Sequence, residues 1–200
     1  MFYNPEIGHN LPHNPFKAIV SPRPIGWISS IDKKNNVNLA PYSFFNAVAD
    51  NPPMVMFSIT GQKTDNNPLK DTLRNIIETK CFVVNIVSKD LLHQMNQTSG
   101  YYPKDIDEFK AAKLEKSSCV NIDVPRVKKS PASLECILHK VLKLPGLNNN
   151  MVIGKVVGVH INNQNLKNGL FDVLTYDPIA RMGYKDYTSI NKKFELERPK

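Results

Sequence analysis

Apolar and polar positions alternate over short runs along most of this chain, and only a few stretches show helical spacing. Ala18, Ile19 and Val20, then Ile25, Trp27 and Ile28, predict extended chain from Phe16 onward, with Pro22 and Pro24 confining that part to a sheet edge or bulge. The polar turn from Asp32 to Asn36 predicts a hairpin into Val37–Ala40. After Pro41, the segment Asn46 to Asn51 reads as a short helical turn stopped by prolines, and Val55 to Ile59 as a short buried strand. The composition of GQKTDNNP marks a loop. Leu69, Leu73, Ile76 and Ile77 then follow helical spacing, with Asn67, Asp71 or Thr72 as the N-cap.

Farther along, Cys81 to Val87 is a strand, Leu91 to Met95 opens a second helix after Ser88 or Asp90, and Asp107 to Lys113 predicts a third. Leu134–Leu144 and Met151–Asn162 are long strands joined by the hairpin signal PGLNNN. Gly154 and Gly158 in the second of these allow a ring or another backbone to approach. About six or seven strands against three helices, mostly joined by short turns, favour an antiparallel barrel with inserted helices over a parallel doubly wound sheet.

At 200 residues and 41% hydrophobic content, one domain is expected, with a core over about 16–162. The tail 163–200 is expected to dock on the barrel or on a second subunit. No apolar run reaches membrane-spanning length and the N-terminus lacks a signal-peptide succession, so a soluble cytoplasmic protein is expected. Cys81, Cys119 and Cys136 have no CxxC spacing and read as reduced structural thiols. The net charge of +8 is scattered, with lysine pairs at a turn, before a strand and near the C-terminus and without a nucleic-acid motif, which argues against nucleic-acid binding; solvated surface explains it, and attraction of small anionic ligands fits equally well.

GxSxG, HExxH, GxxxxGK[ST] and a strand-linked GxGxxG are all absent, and the five histidines show no ligand spacing. What remains is a set of small and hydroxyl residues, Trp27 to Ser30, Asn38 to Ser43, and Ser58, each unremarkable alone. Lys70 is more telling. It stands just before the helix at Asp71 and Thr72, where unsatisfied N–H groups and the positive helix end suit a phosphate. Asp71 is better read as a cap than as a phosphate ligand.

Taken in order, PRPIGWISS, NLAPYSFFNAVADNPPMVMFSI, KDTLRNI with FVVNIVS, and ARMGYKDY resemble the flavin reductase-like family, from about Ile19 to about Tyr187. The resemblance implies a homodimer of six-stranded antiparallel split β-barrels that bind FMN near the subunit interface. By the same analogy Trp27, Ile28, Ser29 and Ser30 would line the isoalloxazine and ribityl chain, and Ala40, Pro41, Tyr42 and Ser43 would hold the ring. Ser58, Lys70, Asp71 and Thr72 would hold the phosphate end, and Arg181 and Tyr184 a C-terminal wall, where the family often has a second glycine in place of Tyr184. Some relatives carry an Asp-His pair between the long strands. Here the loop reads Asn148-Asn149-Asn150, which places the chain nearer the flavoredoxin-like branch.

The implied activity is hydride transfer from NADH or NADPH to FMN, with electrons passed to a partner protein, free flavin or oxygen, and needs no side-chain nucleophile. No metal is implied. The alternative is a non-catalytic flavin- or haem-binding split-barrel module, with His139 or His160 as the first haem ligands to test.

Overall fold

The computed structural model describes residues 1–61 and 69–199. Part of the loop GQKTDNNP, with the candidate cap Asn67, lies outside the described residues. The strands are β1 (Arg23–Pro24), β2 (Gly26–Ile31), β3 (Val37–Tyr42), β4 (Phe45–Asp50), β5 (Pro53–Ile59), β6 (Cys81–Asn85), β7 (Lys116–Ser117), β8 (Arg126–Val127), β9 (Ala132–Lys143), β10 (Asn150–Ile161), β11 (Leu166–Lys167), β12 (Leu170–Phe171), β13 (Ile179–Arg181) and β14 (Tyr187–Ser189). The helices are α1 (Phe16–Ile19), α2 (Asp71–Thr79), α3 (Leu92–Gln97) and α4 (Glu108–Ala111).

The main sheet is antiparallel, in the order β3-β2-β6-β9-β10-β5-β4. Its two edges, β3 and β4, are consecutive in the chain and joined only by Ser43 and Phe44. So short a link forces the sheet to curl until its edges meet, which produces the expected split barrel with its seam at residues 43–44. Pro41, which lacks an N–H, sits in edge strand β3, where no ladder bond is lost on the outer side.

The sheet has seven strands, within the six or seven that the pattern suggested and one more than the resemblance implied. The additional one is β4, in the stretch that read as a helical turn, and its pairing with β5 overrides the helix-tolerant alanines. A second correction concerns Phe16–Ile19, which form the one-turn helix α1 and not a strand. So short an apolar run does not distinguish the two by periodicity, and Phe16 and Ile19 remain exposed.

Most of the buried apolar residues fall in two clusters, beside a smaller third one of Ile31, Val83 and Val124. The barrel interior holds Ile28, Tyr42, Phe57, Ile76, Phe82 and Val152 among others, while Trp27, Leu39, Leu91, Met95, Phe109 and Ile179 form a second cluster outside the barrel. Strand β2 separates them and is buried on both faces along its whole length. Gly154 admits a ring as its sequence suggested, since a Cβ there would lie 2.4 Å from Phe82 Cζ.

Helix α2 begins at Asp71, with Lys70 as its N-cap residue and no side-chain cap bond, and it ends on Lys80 at φ +63°. Asp107 caps α4, accepting from the Phe109 and Lys110 N–H groups. From the C-terminal region, β13 pairs with β1 and β14, and Ile179 enters the second cluster, whereas 191–199 are exposed and without regular structure. No helix among the described residues is long and apolar enough to cross a membrane.

Candidate functional site

A cleft of about 770 Å³ opens at the barrel seam. The seam supplies Pro41, Tyr42, Ser43 and Phe44, the end of β5 supplies Ser58 and Thr60, and the start of α2 supplies Lys70. Helix α3 contributes Leu92, His93, Met95 and Asn96, followed by Ser99, and the β13–β14 turn contributes Arg181, Tyr184 and Lys185, with Tyr187 beyond it. Lys17 and Arg23 close one rim. Five of the described lining residues are Lys or Arg and none is Asp or Glu. A concave, half-apolar site with one sign of charge selects an anion that also carries a flat apolar body.

Local structure explains how these cations are held. Arg23 is 6% exposed. Its Nη1 donates to the carbonyls of Lys17 and Val20 and its Nη2 to the Met182 carbonyl at 2.6 Å, so one guanidinium clamps α1 to the β13–β14 turn. Its Nε is buried without a partner among the described residues. Burial, and after it the charge of Arg181, lowers the pKa of Arg23. Burial likewise lowers that of Lys70. Both shifts reflect mainly the cost of taking a cation out of water, a cost that an arriving anion relieves.

Gly183 makes the rim possible, because a Cβ there would lie 2.4 Å from Ala18 Cβ. Tyr184 adopts φ +51°, a left-handed conformation that glycine takes without strain. This accounts for the glycine that the resemblance leads one to expect at that position. Arg181 Nη2 donates to the Tyr184 carbonyl at 2.6 Å, and its guanidinium lies 4.4 Å from the Tyr187 ring centroid.

A smaller hollow of about 180 Å³ adjoins the cleft, sharing Pro41, Tyr42, Lys70 and Ser99 and adding Asn38, Ala40, Asp71, Thr72 and Glu108. Here the Tyr42 hydroxyl meets Thr72 Oγ1 at 2.9 Å. The Asn38 carboxamide is oriented with its oxygen toward Thr72 Oγ1 at 2.8 Å and its nitrogen toward Glu108 Oε1 at 3.2 Å. Leu39 N–H donates to Glu108 Oε2 at 3.1 Å. A hydrogen-bonded chain thus runs from the cleft wall to a buried carboxyl. Burial pushes Glu108 up to about 7, overcoming the lowering effect of its backbone hydrogen bonds.

Among the residues singled out in the sequence, Pro41, Tyr42, Ser43, Ser58, Lys70, Arg181 and Tyr184 share the cleft, and Ala40, Asp71 and Thr72 share the adjoining hollow. Trp27, Ile28, Ser29 and Ser30 line neither. Their side chains are fully buried behind the wall: Trp27 Nε1 donates to Thr98 Oγ1 at 2.9 Å, Ser29 Oγ donates to the Pro125 carbonyl, and Ser30 Oγ accepts from Asn75. Asp71 is paired with Arg74. Neither His139 nor His160 reaches the cleft, whereas His93 does. Sequence reasoning does not reach Arg23, His93, Asn96 and Lys17 as lining residues. Arg23 is legible as the arginine of PRPIGW, but Lys17 and α3 come into place only through tertiary packing.

Several known proteins share this architecture. An uncharacterized protein of Aquifex aeolicus is 38% identical over 171 residues, 85% of each chain. The crystal structure of nitrilotriacetate monooxygenase component B from Bacillus cereus superposes with a TM-score of 0.88 at 30% identity, covering 98% of each chain. Flavoredoxin of Desulfovibrio vulgaris (Miyazaki F) has a TM-score of 0.78 at 19% identity, covering 89% of this chain and 91% of its own, a likeness of fold alone. The model of the flavin reductase like domain matches residues 20–181, from the end of α1 to the arginine on the cleft's far rim, and this chain belongs to that family.

Proposed function

We propose that the seam cleft binds FMN and that the protein is a flavoprotein oxidoreductase using NADH or NADPH, active as a homodimer. The observation that carries this reading is the cleft's one-signed charge, five cations without a carboxylate among its described lining residues, set beside the apolar surfaces of Pro41, Tyr42, Phe44, Leu92 and Met95. The residues fit the cofactor: the partnerless buried Nε of Arg23 and the half-buried Lys70 at a helix start are groups that a phosphate or a polar ring edge would satisfy. When bound, the flavin supplies the redox chemistry, accepting a hydride from the nicotinamide and yielding electrons to a partner protein, free flavin or oxygen.

The chain's own part is to bind and orient. Lys70 and Ser58 take the ribityl phosphate end, at the positive N-terminal end of α2. Pro41, Tyr42 and Ser43 hold the ring, and the backbone N–H groups at 42 and 43 offset negative charge on it. Arg23, Arg181 and Lys185 form a second positive rim suited to the diphosphate of a nicotinamide dinucleotide. Trp27 to Ser30 act one layer back, as the rigid support of that wall. The name of the Bacillus cereus relative, a monooxygenase component, favours delivery of electrons to a separate protein.

The test is anaerobic titration of the FMN-loaded protein with NADH and with NADPH while following flavin bleaching. Stoichiometric bleaching by one of them supports the proposal. Bound flavin that neither dinucleotide bleaches would replace it with a non-catalytic flavin-binding module, and a chain that fails to quench FMN fluorescence would remove both.

A further inference from the structure

Far along the barrel from the cleft, three side chains able to ligate a metal converge from separate parts of the chain. Cys119 lies in the loop between β7 and β8, Glu135 on β9 and His160 on β10, and one donor atom of each lies within 4.8 Å of the others. None of the three lines the cleft. Their meeting is built into the sheet. In the β9–β10 pairing Gly158 stands opposite Glu135, and a Cβ there would lie 3.0 Å from the Glu135 carboxyl carbon and 2.8 Å from Asn121 Nδ2. The glycine therefore leaves the room over the strand in which carboxylate and loop come together.

The carboxylate is held from several sides. Glu135 is fully buried. One oxygen accepts from Val120 N–H at 2.8 Å and the other from Asn121 N–H at 2.8 Å. His160 Nε2 lies 2.5 Å from Oε1. The two residues that fix the carboxylate directly follow Cys119, so the same backbone turn that orients Glu135 sets the thiol beside it. Outer N–H bonds of this kind are what orient a ligating carboxylate in metal sites. Ile31, Val83, Val124 and Ile122 cluster with Cys119, while the hollow that it lines is also bordered by Lys116, Asp123 and Lys128.

We propose that Cys119, Glu135 and His160 bind one divalent ion of the zinc class. Thiolate, imidazole and carboxylate are the three donor types zinc accepts, and three protein ligands leave a fourth position for water. With bonds of about 2.0–2.3 Å, tetrahedral ligand atoms sit roughly 3.3–3.8 Å apart, so the His160–Glu135 contact opens by about 1 Å to admit the ion. The Cys119 thiol releases its proton to solvent on binding, as does any proton shared by His160 and Glu135, and no oxidation state changes. Access is available, because the His160 side chain is 21% exposed and Cys119 lines an open hollow of about 500 Å³. The ion joins the 118–125 loop to the two longest strands, and its role is structural, since the cleft lies elsewhere.

The test uses the full chain, purified with reductant, stripped with a chelator, and then given Zn²⁺ or Co²⁺ alone. The expected result is about one zinc per chain surviving desalting, and with cobalt the intense visible bands of a tetrahedral ion together with a thiolate-to-cobalt charge-transfer band. Cys119→Ser should lose the charge-transfer band and roughly tenfold or more in zinc affinity, with bound flavin unchanged. His160→Asn should weaken zinc binding to a similar degree. Absence of retained zinc and of cobalt bands in the unmutated chain overturns the proposal without reference to any variant, and leaves the cluster as a hydrogen-bonded Glu–His pair. Retention in Cys119→Ser equal to that of the parent overturns it too. Flavin binding is read separately, so failure here leaves the cleft's function untouched.

Discussion

The hydroxyls of Tyr42 and Thr72 meet at 2.9 Å and tie edge strand β3 to the first turn of α2. Tyr42 is wall to both the cleft and its side hollow, and Thr72 is two residues from Lys70. Breaking the bond frees one end of the cleft from the other. Tyr42→Phe is expected to cost about 1 kcal/mol of stability and to weaken FMN binding several-fold, measured by denaturant unfolding and by fluorescence quenching. Unchanged FMN affinity would show that the helix start keeps its position without this bond.

Glu108 makes stability depend on pH. Its carboxyl titrates at about 7 in the folded chain, against 4.5 as the ordinary value. Between these two pH values the folded state binds more protons than the unfolded one, so the contribution of this group to stability is whole below about 4.5 and is lost as pH rises to about 7. Glu108→Gln should remove that slope and be more stable than the parent above pH 7, by an amount on the order of 2 kcal/mol. Unfolding midpoints at pH 5 and pH 8 for both proteins measure it.

Lys70→Ala should weaken FMN by roughly tenfold or more, the size of one charge-assisted hydrogen bond, and riboflavin far less. Parallel quenching titrations with the two flavins decide the matter. Equal losses would remove Lys70 from the phosphate end.

Gly183→Ala should unseat α1. The new Cβ would lie 2.4 Å from Ala18 Cβ and 2.7 Å from Ala18 Cα, and relief by backbone movement costs about 1–3 kcal/mol. Lys17 would leave the rim with the helix, so flavin or dinucleotide affinity should fall together with the thermal midpoint. Adding Ala18→Gly should restore only part of both, because the clash with the backbone at residue 18 remains.

Much of this architecture is legible in the residues. The β9–β10 hairpin follows from its turn signal, α2 from periodicity although Lys70 and none of the suggested caps stands at its N-cap, and α4 from the segment opened by Asp107, and Lys70 is identifiable as an anion-binding candidate from its place before a helix. The misreadings have a common cause. Phe45–Asp50 becomes a strand because β5 offers it hydrogen bonds, and Phe16–Ile19 becomes a helical turn because Gly183 and Arg23 receive it there. β5 follows β4 after only two residues and Arg23 lies close to α1, but the hydrogen bonding that decides each element forms only in the folded chain, and Gly183 comes from the far end of it.

Local chemistry, then, determined the order of elements, the antiparallel class, the phosphate candidate and the resemblance to flavin reductases. Tertiary structure alone decided which hydroxyls face the cleft. Ser29 and Ser30 read much like Ser43 and Ser58 in sequence, yet β2 is covered on both faces while the seam is not. It also brought Cys119 to Glu135 and His160. Alternation along a strand says that successive side chains face opposite ways, but whether a face meets solvent, a core or a ligand depends on what the rest of the chain packs against it.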